Sequence, residues 1–129
     1  MNYIDVCAAV IRRGNMFLLA RRLPNSHLAG KWEFPGGKMQ DREKPNQCIE
    51  REILEELGVV VTAGSLIATI EHQYPDKAVR LRFIECDLEP DAQPISREGQ
   101  QFDWFALPDI TALDLASADS KFLETLVSL

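Results

Sequence analysis

The chain has 129 residues, an ordinary apolar content of 46% and a formal net charge of −6. This length suits one domain with a substantial core, which we expect to span residues 1–129. The acidic balance, without a cluster of lysines and arginines, excludes a nucleic-acid polymer as a partner, since such binding needs a basic face. No apolar run is long enough for a membrane span and the N-terminus does not resemble a signal peptide, so we expect a cytoplasmic protein without membrane contact.

The N-terminal part of the chain predicts two strands, a loop and a glycine turn. The stretch "YIDVCAAVIRRGNMFLLARR" has the residue types of two strands joined at Gly14 and Asn15. A loop follows from "LPNS" to "AGK", and "WEF" is a short extended segment. Pro35, Gly36 and Gly37 then predict a tight backbone turn.

An amphipathic helix is predicted from about Pro45 to Leu57. Proline suits the first helical turn, and Gly58 suits the C-terminal cap. Apolar residues recur at helical spacing and form the face that we expect to contact the core, namely Ile49, Ile53, Leu54 and Leu57.

The rest of the chain is rich in strands and ends in a second helix. "SLIATIEHQY" and "AVRLRFIECDL" predict two strands joined across "PDK", and "QFDWFAL" predicts another. Ser117 is the predicted N-cap of the last helix, whose apolar face would comprise Phe122, Leu123, Leu126 and Leu129. This mixture predicts an α/β fold, an α/β/α sandwich around a mixed β-sheet.

The first helix gathers acids near its C-terminal end, in "EREILEELG". Glu52, Glu55 and Glu56 share one patch because residues three and four apart are neighbours on a helix. The helix dipole disfavours negative charge at this end, and Glu52 and Glu56 form a like-charge pair. Such a patch suits Mg²⁺, which prefers oxygen ligands and is commonly shared with substrate phosphates. The preceding glycines would let the backbone approach the same metal or phosphate, and Glu43 lies within reach. A solvated acidic face is the alternative interpretation.

These residues stand at the spacing of a family signature. Gly37 is followed after five residues by Glu43, and after seven more by "REILEELGV" from Arg51 to Val59. This pattern resembles the Nudix box of the Nudix hydrolases at every fixed position. "WEFPGGK", "YPDKAVRL" and "REGQQFDWF" are similar to segments of the MutT branch of that family. The resemblance covers nearly the whole chain and is weakest over residues 108–129.

The resemblance implies the Nudix fold and an Mg²⁺-dependent hydrolase, with Mn²⁺ as a substitute. The metal ligands that it implies are Gly36, through its carbonyl oxygen, Glu52, Glu55, Glu56 and Glu98. Arg51 and Glu43 would orient the catalytic carboxylates. Glu52 or Glu98 would orient or deprotonate the attacking water, with an exposed loop acid as the alternative interpretation of Glu98.

The MutT branch cleaves 8-oxo-dGTP and related triphosphates to a monophosphate and pyrophosphate, which removes oxidised nucleotides from the precursor pool. A small-molecule nucleoside triphosphate is therefore the expected substrate. We expect Arg22 and Lys38 to contact its phosphates, although exposed solubilising charges are the alternative for both. The residues that we expect around the base are Phe34, Asp76, Lys77 and Asp119.

Asp119 stands where the guanine-oxidation enzymes carry an asparagine that reads the base. An ionised aspartate only accepts hydrogen bonds, from guanine N1–H and N2–H₂ or from cytosine N4–H₂. Relatives that cleave CTP and modified dCTP carry a similar stretch. We therefore expect 8-oxo-dGTP as the substrate, with cytosine triphosphates as the alternative. A further alternative is that Asp119 is only an acid in the first turn of the last helix.

A hypothesis of another class is a catalytically inactive Nudix module that senses a nucleotide or binds a partner protein. Such modules usually lose acids of the box, and this chain keeps them all. For the oligomeric state, we expect a monomer or a dimer.

Overall fold

The computed structural model describes residues 2–128. Its strands are β1 (Tyr3–Arg13), β2 (Met16–Arg21), β3 (Trp32–Glu33), β4 (Gly36–Lys38), β5 (Val61–Gln73), β6 (Ala78–Leu88) and β7 (Gln101–Ala106). Its helices are α1 (Pro45–Leu57), α2 (Leu107–Ile110) and α3 (Ser117–Val127). The predicted bounds of α1 are thus confirmed.

These strands form one mixed sheet. Its central order is β3-β2-β1-β6-β5, with β4 paired to β1 and β7 paired to β2. β1 and β6 run parallel, from Tyr3 opposite Ala78 to Ile11 opposite Cys86. The other pairs of named strands are antiparallel. The long central strand β1 presents successive side chains to opposite faces of the sheet.

Helices cover both faces of the sheet. Cys7 and Ala9 of β1 belong to the buried cluster that contains Ile53 of α1. Ala8, between them, belongs to the opposite cluster, which contains Phe122 of α3. The strand therefore alternates between two apolar layers, each closed by one helix. This arrangement confirms the predicted α/β/α sandwich around a mixed sheet.

The prediction of a tight turn at Pro35–Gly37 is wrong, because Gly36 and Gly37 lie in strand β4. This strand runs antiparallel to β1, with Gly37 opposite Cys7. The reason for the glycines is close packing. A Cβ on Gly36 would overlap the carbonyl oxygen of Cys7, and a Cβ on Gly37 would overlap the carboxylate of Glu52. β4 therefore lies directly against both β1 and the acids of α1.

The start of the last helix also differs from the prediction. Ala116, and not Ser117, is the N-cap of α3, and its side chain makes no capping hydrogen bond. The predicted apolar face is buried at Phe122, Leu123 and Leu126, whereas Leu129 lies outside the described residues. None of the helices within residues 2–128 has the length and apolar character that a membrane crossing requires.

Two strand boundaries were predicted incorrectly. Leu107, predicted to end a strand, begins the short helix α2 with Pro108 in its first turn, where a missing N–H does no harm. β5 begins at Val61, before the predicted start at Ser65. Strand ends depend on pairing with distant segments, and this pairing has no local signal in the sequence.

Candidate active site

The acids of α1 lie at its C-terminal end, beside β4. The helix stops at Gly58, which takes the left-handed conformation with φ of 65° and donates its N–H to the carbonyl of Leu54. Glu52 packs against Gly37 of β4. Glu56 is only 8% exposed, whereas the side chain of Glu55 is about half exposed. The predicted patch therefore ranges from a buried carboxyl to a solvated one.

Arg51 connects three acids of this region. Its Nε and Nη2 donate to the Glu43 carboxylate at 2.7 and 2.9 Å. Its Nη1 donates to Glu52 at 2.9 Å and to Glu55 at 3.2 Å. A further bond, from Nη2 to the Lys38 carbonyl at 3.2 Å, connects α1 with β4. The Arg51 guanidinium lowers the pKa of Glu43 to about 2, so this carboxylate stays ionised and fixes Arg51 in turn.

Glu56 is the acid of the patch whose charge is least tolerated. Burial, together with the nearby negative charges of Glu52 and Glu98, raises its pKa to about 9. Burial also raises the pKa of Glu52, against the opposing effect of Arg51. Glu33 and Glu55 add weaker repulsion to Glu56. A positive charge placed among these groups would offset both the repulsion between the carboxylates and the cost of removing them from water.

The loop before β7 carries Glu98 to the same end of α1. The Ile95 N–H donates to the carbonyl of Leu57, and the Arg97 N–H donates to the carbonyl of Glu56, each at a distance of 2.9 Å. Carbonyls in the last turn of a helix lack hydrogen-bond partners within the helix, and here the N–H groups of the loop are those partners. Glu98 is exposed, and its charge acts on Glu56 from this anchored position. The structure thus brings Glu98 and the α1 acids together.

The donor groups fit a divalent cation in their chemistry, although they are not arranged around one. Within residues 2–128, no group of three or more His, Cys, Asp or Glu side chains is positioned to hold a metal ion. Glu52 and Glu55 bond to Arg51 instead. Carboxylates and a backbone carbonyl are the oxygen ligands that Mg²⁺ prefers. Because the pKa of Glu56 is raised, a cation bound beside it would favour its ionised form.

A cavity of about 260 Å³ opens beside β4. Its lining includes Gly36, Gly37, Lys38, Phe34, Lys77 and Asp119. Arg22 lines it as well, so six of the predicted substrate contacts or ligands share one cavity with Gly37. Asp76 stands apart, since its side chain is 63% exposed and pairs with His27 Nδ1 at 3.6 Å.

Asp119 is buried at the inner end of this cavity. It is 2% exposed, lies in the first turn of α3, and accepts a hydrogen bond from the Phe34 N–H at 3.0 Å. Burial raises its pKa well above the ordinary value, and the negative charge of Glu33 adds to the shift. The protonated carboxylic acid is therefore favoured. A protonated carboxyl donates as well as accepts, whereas the prediction from the sequence considered only the ionised acceptor.

Arg22, a predicted phosphate contact, is held inside the cavity by Glu33. Its Nη1 donates to both carboxylate oxygens of Glu33 at 3.2 Å, and its Nε donates to the carbonyl of His27. Lys38 is exposed where it lines the cavity. The sequence reasoning missed Glu33, whose pKa is raised by burial. An acid between the aromatic residues of "WEF" is the local signal that could have revealed it.

Comparison with known proteins places this architecture in a family. A NUDIX domain family model matches residues 6–125. The 8-oxo-dGTP diphosphatase of Escherichia coli (strain K12) is 32% identical over 127 residues, which cover 98% of each chain. The CTP pyrophosphohydrolase of the same strain is 34% identical over 130 residues, covering 100% of this chain and 95% of that protein.

Solved structures agree with these relatives. The solution structure of the E. coli ORF135 protein matches with a TM-score of 0.84 and 34% identity, over 100% of this chain and 91% of that one. The crystal structure of the MutT protein from Methanosarcina mazei Go1 matches with a TM-score of 0.79 and 30% identity, over 95% and 91% of the two chains. The chain therefore belongs to the NUDIX domain family, as a MutT-type Nudix hydrolase.

Proposed function

We propose that this hydrolase is a divalent-metal-dependent nucleoside triphosphate pyrophosphohydrolase that cleaves 8-oxo-dGTP to the monophosphate and pyrophosphate. The observation that carries the proposal is the single cavity that reaches from Gly36 and Gly37, beside the α1 acids, to the buried Asp119. A nucleoside triphosphate has a highly charged end and an aromatic end, which need these two different surroundings. The similarity to an 8-oxo-dGTP diphosphatase over 98% of the chain supports this choice.

The charged end of the substrate would meet the acids of α1 together with a metal ion. The residues that would hold Mg²⁺ or Mn²⁺ are Gly36, Glu52, Glu55, Glu56 and Glu98. When bound, the metal would offset the charge of the phosphates and lower the pKa of a bound water. Lys38, exposed at the cavity, would contribute a further positive charge to the phosphates.

The residues of the chain then position the attacking water. Arg51 holds the Glu52 carboxylate through its 2.9 Å bond, and the ionised Glu43 holds Arg51. Glu52 or Glu98 accepts a proton from the water as its oxygen bonds to the β-phosphorus. The oxygen that bridges the α- and β-phosphorus then leaves with the monophosphate. Positioning and charge compensation are the main requirements of phosphoryl transfer, and this arrangement supports both.

The aromatic end would lie between apolar walls and pair with Asp119. Phe34, Val79 and Leu81 are among the apolar residues that line the cavity. A protonated Asp119 can donate to O6 of 8-oxoguanine and accept from its N1–H, as an asparagine side chain does. Since Asp119 also accepts from the Phe34 N–H, its position in the cavity is fixed before a base enters.

CTP and modified cytosine triphosphates form a second candidate substrate class. The same carboxylic acid can donate to cytosine N3 and accept from N4–H₂. The CTP pyrophosphohydrolase relative is as similar as the 8-oxo-dGTP diphosphatase, at 34% against 32% identity.

The experiment that decides between them is a screen of 8-oxo-dGTP, dGTP, CTP and 5-methyl-dCTP, in which pyrophosphate release is followed with Mg²⁺ present. We expect the highest kcat/KM for 8-oxo-dGTP. A clear preference for a cytosine nucleotide would move the assignment to the second class. Absence of pyrophosphate from every nucleotide would refute the proposal.

A further inference from the structure

Gln100 carries a buried polar atom without a partner. Among residues 2–128, its side-chain oxygen has no hydrogen-bond partner and is shielded from solvent. Such atoms are rare in folded proteins, and one explanation for them is a catalytic role in which substrate or water completes the hydrogen bond. Gln100 was not among the residues predicted from the sequence.

The surroundings of Gln100 place it beside two of the proposed metal ligands. It lines a small cavity of about 130 Å³ together with Gly36 and Glu56, two of the proposed metal ligands. Arg22 and Glu33 line it too. Since a water molecule takes about 30 Å³ in the liquid, the cavity has room for a few waters. Gly36 also lines the larger cavity, so the two spaces adjoin at strand β4.

The backbone around Gln100 is fixed from both sides. The Ser96 hydroxyl donates to the Gln100 carbonyl at 2.7 Å. The Arg97 N–H donates to the carbonyl of Glu56, which attaches this segment to α1. The next residue, Gln101, pairs with Arg21 in the sheet. The side chain of Gln100 is therefore held at the cavity by its backbone.

We propose that Gln100 is a further catalytic residue, whose side-chain oxygen accepts a hydrogen bond from the attacking water and holds this water beside Glu56 and Gly36. This inference rests on the proposed pyrophosphohydrolase function. In the step, the water oxygen bonds to the β-phosphorus and the bridging oxygen leaves with the monophosphate. One proton of the water goes to Glu52 or Glu98, and Gln100 binds the other without taking it.

An amide suits this position better than a carboxylate. Its oxygen accepts a hydrogen bond but does not take up a proton near neutral pH, so it orients the water without competing as a base. It is also neutral, and the cavity already contains the carboxyl groups of Glu33 and Glu56. A further negative charge would oppose the approach of the triphosphate.

The test compares Gln100→Leu, which keeps the volume but removes the acceptor, with Gln100→Glu, which keeps an acceptor. Gln93→Leu, at an exposed position of the same loop, is the control. With 8-oxo-dGTP and Mg²⁺, we expect kcat of Gln100→Leu to fall roughly a hundredfold, as for the loss of one oriented polar group. KM and the affinity for a non-hydrolysable α,β-methylene analogue should stay within about twofold, because the water and not the nucleotide is affected.

Two readouts are independent of turnover. Titration with Mn²⁺ in the absence of nucleotide should give the same affinity for Gln100→Leu as for the wild type, and a higher affinity for Gln100→Glu, which adds a carboxylate. Gln100→Glu should retain more kcat than Gln100→Leu.

Several results would overturn the inference. If the wild type is active and Gln100→Leu has an unchanged kcat, or differs from the wild type only in KM, the role of Gln100 is refuted while the proposed function stands. Loss of folding in both variants would make Gln100 a structural residue. A wild type that releases pyrophosphate from none of the nucleotides would overturn the proposed function and this inference together.

Discussion

At the scale of single residues, Asp119 shows how burial changes the chemistry that a side chain offers. An exposed aspartate would be ionised and could only accept hydrogen bonds. At 2% exposure and close to Glu33, its pKa is raised and the protonated form is favoured. Protonation gives it the donor and acceptor pair of an asparagine. The residue type alone does not reveal this shift, because the shift depends on burial and on Glu33.

This leads to a prediction about pH and base specificity. With the preferred nucleotide, kcat/KM of the wild type should fall as the pH rises through the raised pKa of Asp119, because the ionised form loses its donor. Asp119→Asn should keep the activity and remove this pH dependence. Asp119→Ala should weaken transition-state binding by about 1–3 kcal/mol for the preferred base and less for a poor one.

The measurement is a set of kcat/KM profiles over a wide pH range for the wild type, the two variants and Glu124→Gln, an exposed acid on the same helix. An equal loss for every base in Asp119→Ala would assign this residue to folding, and the base would be read elsewhere.

At the scale of secondary-structure elements, the contact between β4 and α1 determines the geometry of the acids. Gly37 touches the Glu52 carboxylate, and Arg51 bonds to the Lys38 carbonyl of the same strand. Any side chain on Gly37 must displace Glu52. A side chain on Gly36 would instead overlap the backbone of β1, which cannot move aside.

Gly37→Ala should therefore fold but lose activity. Displacement of the flexible end of Glu52 needs little energy, whereas a misplacement of about 1 Å can lower a rate roughly a hundredfold. Gly36→Ala should instead lower the melting temperature strongly. Gly64→Ala is the control, since its new Cβ would lie 3.4 Å from the Glu85 carbonyl oxygen, an ordinary contact. Melting temperatures and kcat of the three variants check this, and a fully active Gly37→Ala would contradict the assigned position of Glu52.

The crowding of acids at the end of α1 predicts how stability depends on pH. The folded-state pKa of Glu56 is raised from 4.5 to about 9, so the folded protein keeps a proton that the unfolded chain releases. The contribution of protonated Glu56 is fully present below its unfolded pKa of 4.5 and is lost as the pH rises through about 9. In EDTA, the melting temperature of the wild type should therefore decline over this window.

Glu56→Gln should flatten that decline, because the amide does not titrate. Glu50→Gln is the matched control, since it is exposed on the same helix and keeps an acceptor for the Ala63 N–H. Melting curves of the three proteins over this pH range provide the measurement. Parallel curves for wild type and Glu56→Gln would show that Glu56 is not the group responsible.

The elements differ in how well local sequence predicts them. The bounds of α1 could be predicted because Pro45, Gly58 and the apolar spacing are signals within the segment itself. β4 could not, because Gly36 is required by contact with Cys7, far away in the sequence. The same glycines therefore suggested a turn, although their conformation is extended.

At the scale of the whole molecule, the site is assembled from segments that the sequence does not show to be neighbours. The α1 acids share a helix, so their proximity follows from spacing alone. Glu98 was expected only through the family resemblance, and the bonds from its loop to the end of α1 explain its place. Glu33 and Gln100 reach the site through the packing of β3 and the loop before β7 around one cavity. No spacing rule predicts such a convergence.

The reaction that we propose is a metal-dependent attack of water on the β-phosphorus of a nucleoside triphosphate. The most direct measurement is hydrolysis of 8-oxo-dGTP in ¹⁸O-labelled water, with the label located in the products by mass spectrometry. With Mg²⁺ we predict pyrophosphate that carries the label and an unlabelled monophosphate, a reaction that stops in EDTA. Label in the monophosphate, release of orthophosphate, or undiminished turnover in EDTA would contradict the account.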